Sequence, residues 1–172
     1  MAQMDDTIRK QLEKPQTWFC KYFPKRIRNV GEKEIADRQM VYDFKDGRAF
    51  ETVAQMTASS MVAQYGNLCR DIVFVPVPAS TRQKNELRYK AFCERVCGER
   101  LAIHENRKLE KGIRKVNIIE FDEEWFNGKT IIAFDDVISR GISYATYANQ
   151  LESFGANVIG GIFLARTHYK VK

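Results

Sequence analysis

Asp135 and Asp136 stand side by side, and Ser139, Arg140, Gly141, Ile142 and Ser143 follow almost at once. A glycine at such a point lets the backbone take φ > 0 and brings its amides close to a phosphate. The hydroxyl of Ser143 can cap a helix and also donate to a phosphate oxygen. The two acids need a different task, because carboxylates repel phosphate. A carboxylate only accepts hydrogen bonds, so neighbouring sugar hydroxyls suit it. A phosphate loop with an acidic pair about one sugar away suggests a ribose 5-phosphate. The plainer reading of the same residues is a buried strand ending in an Asp-rich turn before a capped helix.

Either reading requires a strand before these residues and a helix after them. The run Thr130-Ile131-Ile132-Ala133-Phe134 predicts a buried strand over Lys129 to Phe134. An amphipathic helix then runs from Ser143, its cap, to Phe154, and Gly155 stops it. A β-loop-α unit of this kind aims unpaired N–H groups at whatever sits above the helix N-terminus. Asn157 to Ala165 reads as the next buried strand, and Asp71 to Val75 as an earlier one. Near-continuous apolar strands separated by a helix point to a parallel α/β sheet.

The earlier strand runs into Pro76-Val77-Pro78-Ala79-Ser80-Thr81, with Arg82 and Lys84 close behind. Proline ends the pairing, and small residues leave their amides accessible. That suits a second anion site, although an ordinary strand-to-helix loop has the same composition. A charge-rich helix is predicted from Asn85 to Ala102, another from Ala49 to Tyr65 ended by Gly66, and a short one from Asp5 to Glu13. Glu34 to Phe44 fits helix or strand. Trp18, Phe19, Tyr22 and Phe23 cluster either as packing under a loop or as part of a hood over a planar base. From Ile103 to Asn127 the pattern weakens, with a short strand at Val116 to Phe121. Lys108, Lys111, Arg114 and Lys115 lie there around Gly112, in a functional loop or a solvated charged excursion.

At 172 residues the chain is long enough for one domain with a real core. No apolar run is long enough to span a membrane, and Met1 to Lys10 lacks the apolar stretch of a signal peptide. A cytoplasmic location is therefore expected. Cys20, Cys69, Cys93 and Cys97 form no C-x-x-C pair and are expected to be buried reduced thiols; His104 and His168 are expected to be structural. The net charge of +6 fits a phosphorylated small substrate as well as nucleic acid. The densest basic patch, Lys21, Lys25, Arg26 and Arg28, could equally be a solvated face.

Val41-Tyr42-Asp43-Phe44-Lys45-Asp46-Gly47, Val75-Pro76-Val77-Pro78, Arg88-Tyr89-Lys90-Ala91, the Asp135-Asp136 loop and Leu164-Ala165-Arg166-Thr167 occur in that order. The Asp-Asp loop resembles the phosphoribosyl-pyrophosphate (PRPP) motif of type I phosphoribosyltransferases. The set together resembles the ComF-type domain of that family. The resemblance implies an α/β type I phosphoribosyltransferase fold: a mostly parallel central sheet flanked by helices, with a small N-terminal hood. It implies one domain over residues 1–172, with 1–47 as hood and N-terminal extension and 48–172 as core.

By the same resemblance, Asp135 and Asp136 bind the ribose hydroxyls. Ser139, Arg140, Gly141, Ile142 and Ser143 hold the 5-phosphate, while Ala79, Ser80 and Arg82 hold the pyrophosphate. Mg²⁺ sits near the aspartates through substrate and water. Lys108, Lys111, Arg114 and Lys115 are a candidate lid. The implied function is transfer of 5-phosphoribosyl to a nitrogenous base with release of pyrophosphate. PRPP and a small-molecule base are the expected partners, a homodimer is left open, and neither a membrane nor, by preference, nucleic acid is expected. The alternative is a non-catalytic PRPP-binding regulator or a DNA-uptake or DNA-processing accessory. The chain departs from the family in lacking the cysteine-rich zinc module and in having Arg140 for the usual Thr. It also has Tyr89-Lys90-Ala91 for Gly-Phe-Asn. Ser139 replaces the Asp of members that act on 6-oxopurines, which points away from hypoxanthine or guanine as acceptor.

Overall fold

The computed structural model describes residues 5–103 and 123–171. The expected lid residues Lys108, Lys111, Arg114 and Lys115, together with His104 and the Val116 to Phe121 strand, lie outside them. In chain order the elements are α1 (Asp6–Leu12), β1 (Gln16–Tyr22), α2 (Glu32–Lys45), α3 (Phe50–Tyr65) and a 3₁₀ turn (Gly66–Asp71). They continue as β2 (Ile72–Pro76), α4 (Arg82–Ile103), α5 (Glu123–Phe126), β3 (Thr130–Ile138), α6 (Ile142–Ser153) and β4 (Asn157–Thr167). The four described strands form one sheet in the order β1-β4-β3-β2, and every pairing is parallel. The fold is thus α/β with an all-parallel sheet flanked by helices.

Covering a sheet with helices demands strands that are apolar along their length. β2 is buried at every position, and β3 is buried from Ile131 to Phe134. Phe44 of α2 and Phe92 of α4 close over Phe134 with ring centroids 5.8 and 4.8 Å away, and Phe74 lies 5.5 Å from the same ring. All three pairs are tilted, which avoids the face-to-face sandwich that aromatic quadrupoles disfavour. Tyr144 of α6 meets Phe163 of β4 edge-on at 5.2 Å. Helix α3 packs on α4, and α1 on α6.

Several elements differ from the sequence expectation. Trp18, Phe19 and Tyr22 belong to β1, which pairs with β4 from Gln16↔Gly161 to Tyr22↔Thr167. Part of the segment assigned to a hood is therefore an edge strand. Its burial does not alternate cleanly, so no period of two is visible in the residues. Glu34 to Phe44 lies in a helix, α2, because Val41 and Phe44 point to the core at helical spacing. α4 starts at Arg82, ahead of Asn85, since the Thr81 hydroxyl accepts from the Lys84 amide at 3.1 Å as an N-cap. Gly66 and Gly155, both at positive φ, end α3 and α6 as expected.

Most important for the site, β3 does not stop at Phe134. It runs through both aspartates to Ile138, alongside β4 as far as Arg166. The last β2–β3 pair is Pro76↔Phe134. β3 thus overshoots its neighbour by four residues, about 13 Å of strand. Cys20, Cys69, Cys93 and Cys97 are buried and form no disulfide. Burial, with help from Asp37, pushes the Cys20 thiol up to about 11, and burial pushes Cys93 well above its usual value. Such thiols pack rather than react. No described helix is long and apolar enough to cross a membrane.

Candidate functional site

In an open parallel sheet, ligands bind beyond the carboxyl ends of the strands. The 77–81 loop after β2 and the 139–141 loop after β3 both leave that edge, from neighbouring strands. Asp135, Val137, Ser139, Arg140, Gly141 and Ser143 line a cavity of about 290 Å³ there, closed at its base by Tyr144 and Phe163. Gly141 precedes α6 at φ 81, and no side chain caps that helix. Ser143 lies within the first turn and does not take the capping role expected of it. The N-terminal amides of α6 are left to serve a ligand.

Gly141 is also hemmed in from outside. A Cβ at that position would run into the side chain of Leu12. Leu12 is held there because α1 is pinned to α6. Gln11 donates to Asn149 at 2.9 Å and to Glu152, and Lys14 pairs with Glu152 at 3.2 Å. On the other flank, the hydroxyls of Ser139 and Thr167 share a hydrogen bond of 2.6 Å that ties the loop to the end of β4. Nothing in the sequence announces this role for α1.

Consecutive strand residues point to opposite faces. Placing the aspartates on β3 therefore separates them. Asp135 faces the cavity. Asp136 is not on its wall; its Oδ2 lies 3.6 Å from both Lys45 Nζ and Arg88 Nη1. Each carboxylate also accepts from the next amide, Asp136 N at 2.9 Å and Val137 N at 2.7 Å. Burial, and after it the charge of Asp136, holds the Asp135 carboxyl well above the usual carboxylate range. Perturbed groups of this kind cluster at functional sites.

That perturbation has a stability consequence with a definite sign. A carboxyl raised on folding costs nothing below the unfolded value near 3.8 and lowers stability as pH rises through its folded value. Asp135→Asn keeps the Oδ1 acceptor and removes the buried charge. At neutral pH the variant is expected to be more stable by on the order of 1 kcal/mol, or roughly 2–4 °C in Tm. The gap should close as the pH approaches 4. Thermal melting across that range checks it, and a variant that melts lower at neutral pH would contradict it.

The second loop is less open than its composition suggests. The Ala79 amide donates to Asn85 Oδ1 at 3.0 Å, and Arg82 sits 3.9 Å from Glu86. Ser80 is exposed. None of Ala79, Ser80 and Arg82 is on the wall of the Asp135 cavity. Of the expected site residues, the structure gathers Asp135 with Ser139, Arg140, Gly141, Ile142 and Ser143, and leaves Asp136 and the second loop beside them. In the basic patch, Lys25 lies over the Tyr42 ring at 5.6 Å and Arg26 over Tyr169 at 5.5 Å. No group of three metal-ligating side chains occurs among the described residues.

Comparison with known proteins adds no relative. No family model, curated protein or solved structure matches the chain.

Proposed function

We propose that the protein is a phosphoribosyltransferase of the type I fold, which binds PRPP and transfers its 5-phosphoribosyl group to a nitrogenous base. One observation carries the reading: a carboxyl group and a glycine-bearing loop at a helix N-terminus share one cavity at the carboxyl edge of a parallel sheet. In this reading the 139–143 loop and the amides of α6 hold the 5-phosphate. Asp135 takes the ribose hydroxyls, and Asp136, neutralised by Lys45 and Arg88, fixes the strand that presents it. The loop after β2 receives the pyrophosphate. Displacement at C1 passes through an oxocarbenium-like state, so positioning and excluding water do most of the work.

Mg²⁺ fits this arrangement as an ion carried by the substrate. A single cavity carboxylate suits a cation held chiefly by phosphate oxygens and water. When bound, it neutralises the leaving pyrophosphate. A regulator that binds PRPP without turnover is favoured by one observation, the capture of the Ala79 amide by Asn85. In that case binding would occur with no pyrophosphate release for any base.

Calorimetric titration with PRPP, with and without Mg²⁺, tests the reading. Micromolar binding is expected, weakened by about tenfold or more in Asp135→Asn through loss of a charged acceptor. Absence of binding to the folded wild-type chain, or equal affinity in the variant, would remove the assignment.

A further inference from the structure

The loop that walls the Asp135 cavity has a second side. Behind it, Lys14, Ser139, Arg140 and Arg166 surround another cavity of about 320 Å³, over an apolar floor of Leu12 and Ile138. Three cations face this one space. Lys14 pairs with Glu152 at 3.2 Å, which offsets part of its charge and leaves the two arginines as the main cations. Arg140 and Arg166 are exposed, and neither pairs with a carboxylate of any described residue. Elsewhere Arg48, Arg88 and Arg95 do have acidic partners. Like charges around a concave space repel one another, and an anion between them removes that repulsion. Two guanidinium forks are donors that phosphate oxygens take well. The volume lies at the lower end for small-ligand sites, which fits a phosphate monoester.

We propose that this rear cavity binds the phosphate group of a small metabolite, at a site separate from the Asp135 cavity. The position of Arg166 gives a task to a residue that the phosphoribosyl reading leaves idle. Lys14 and Arg166 line only the rear cavity, so the two sites can be told apart although they share Ser139 and Arg140. Arg140 borders both spaces, so an anion in either one changes the charge seen by the other.

Two exposed positions separate the cavities: Ser143 lines only the front one and Arg166 only the rear one. The full chain, Ser143→Asp, Arg166→Gln and Lys14→Gln are titrated at low ionic strength with inorganic phosphate and, separately, with adenosine 5′-monophosphate. Thermal melting checks each fold. Binding should survive Ser143→Asp and weaken by about tenfold or more in Arg166→Gln, with a smaller loss in Lys14→Gln. Tighter binding of the nucleotide than of phosphate would identify a phosphomonoester as the ligand; equal binding would identify free phosphate. Unchanged affinity in both Arg166→Gln and Lys14→Gln, or no phosphate bound by the wild-type chain, overturns the proposal.

Discussion

Gly141→Ala is expected to weaken PRPP binding by about 100-fold and to destabilise the protein by about 2–5 kcal/mol. Two separate costs add. The residue sits at φ 81, where an alanine is strained by about 1–2 kcal/mol. Its methyl group would also press into Leu12, and overpacking of that kind costs about 1–3 kcal/mol. The end of the Leu12 side chain can swing aside, but the backbone strain is relieved only by moving the loop. That movement redirects the amides at the start of α6, so binding falls along with stability. Leu12→Ala combined with Gly141→Ala should recover the overpacking share and leave the backbone share. Melting curves and PRPP titration on the three variants would show this. A Gly141→Ala protein as stable as the wild type would rule out both the left-handed turn and the Leu12 contact.

Phe134→Ala should produce the largest loss of stability, about 3–5 kcal/mol, which is roughly 10 °C in Tm. Phe134 is fully buried and touches Phe44, Phe74, Tyr89 and Phe92. These rings join α2, α4, β2 and β3, so the cavity left by truncation cannot collapse from one side. Phe134→Leu, which keeps most of the volume, should cost less than half as much. The two aspartates follow directly on the same strand, and loosening of this cluster is expected to reach Asp136 through Lys45 and Arg88. A loss below about 1 kcal/mol for the alanine variant would show the cluster to be less tightly packed than its ring distances indicate.

Asp135 works in the opposite direction. Removing it is expected to raise stability at neutral pH while lowering affinity. A perturbed carboxyl on a cavity wall is a burden that folding alone does not require, and activity often comes at such a cost in stability.

Much of this was legible from residue types. The apolar runs at Ile72 to Val75, Thr130 to Phe134 and Val158 to Ala165 announced buried parallel strands, because only strands covered on both faces tolerate such continuity. Gly141 announced a left-handed turn, since few other residues adopt φ > 0 without strain. Those features are local: a few neighbouring side chains and the backbone decide them.

The separation of Asp135 from Asp136 was not legible. It depends on β3 continuing past Phe134, and that continuation is decided by β4, which offers partners as far as Arg166. The edge strand β1 was hidden for a related reason. Its residues carry no clean alternation, and its place is fixed by pairing with a segment far along the chain. The contact of Leu12 with Gly141, and the cations gathered from the turn after α1, the 139–140 loop and β4, likewise arise from parts remote in sequence. Local sequence determined which segments are strands and where the phosphate loop turns. Tertiary pairing decided which way the acids face and what stands behind the loop, because strand length and side-chain direction are set by the partner as much as by the strand itself.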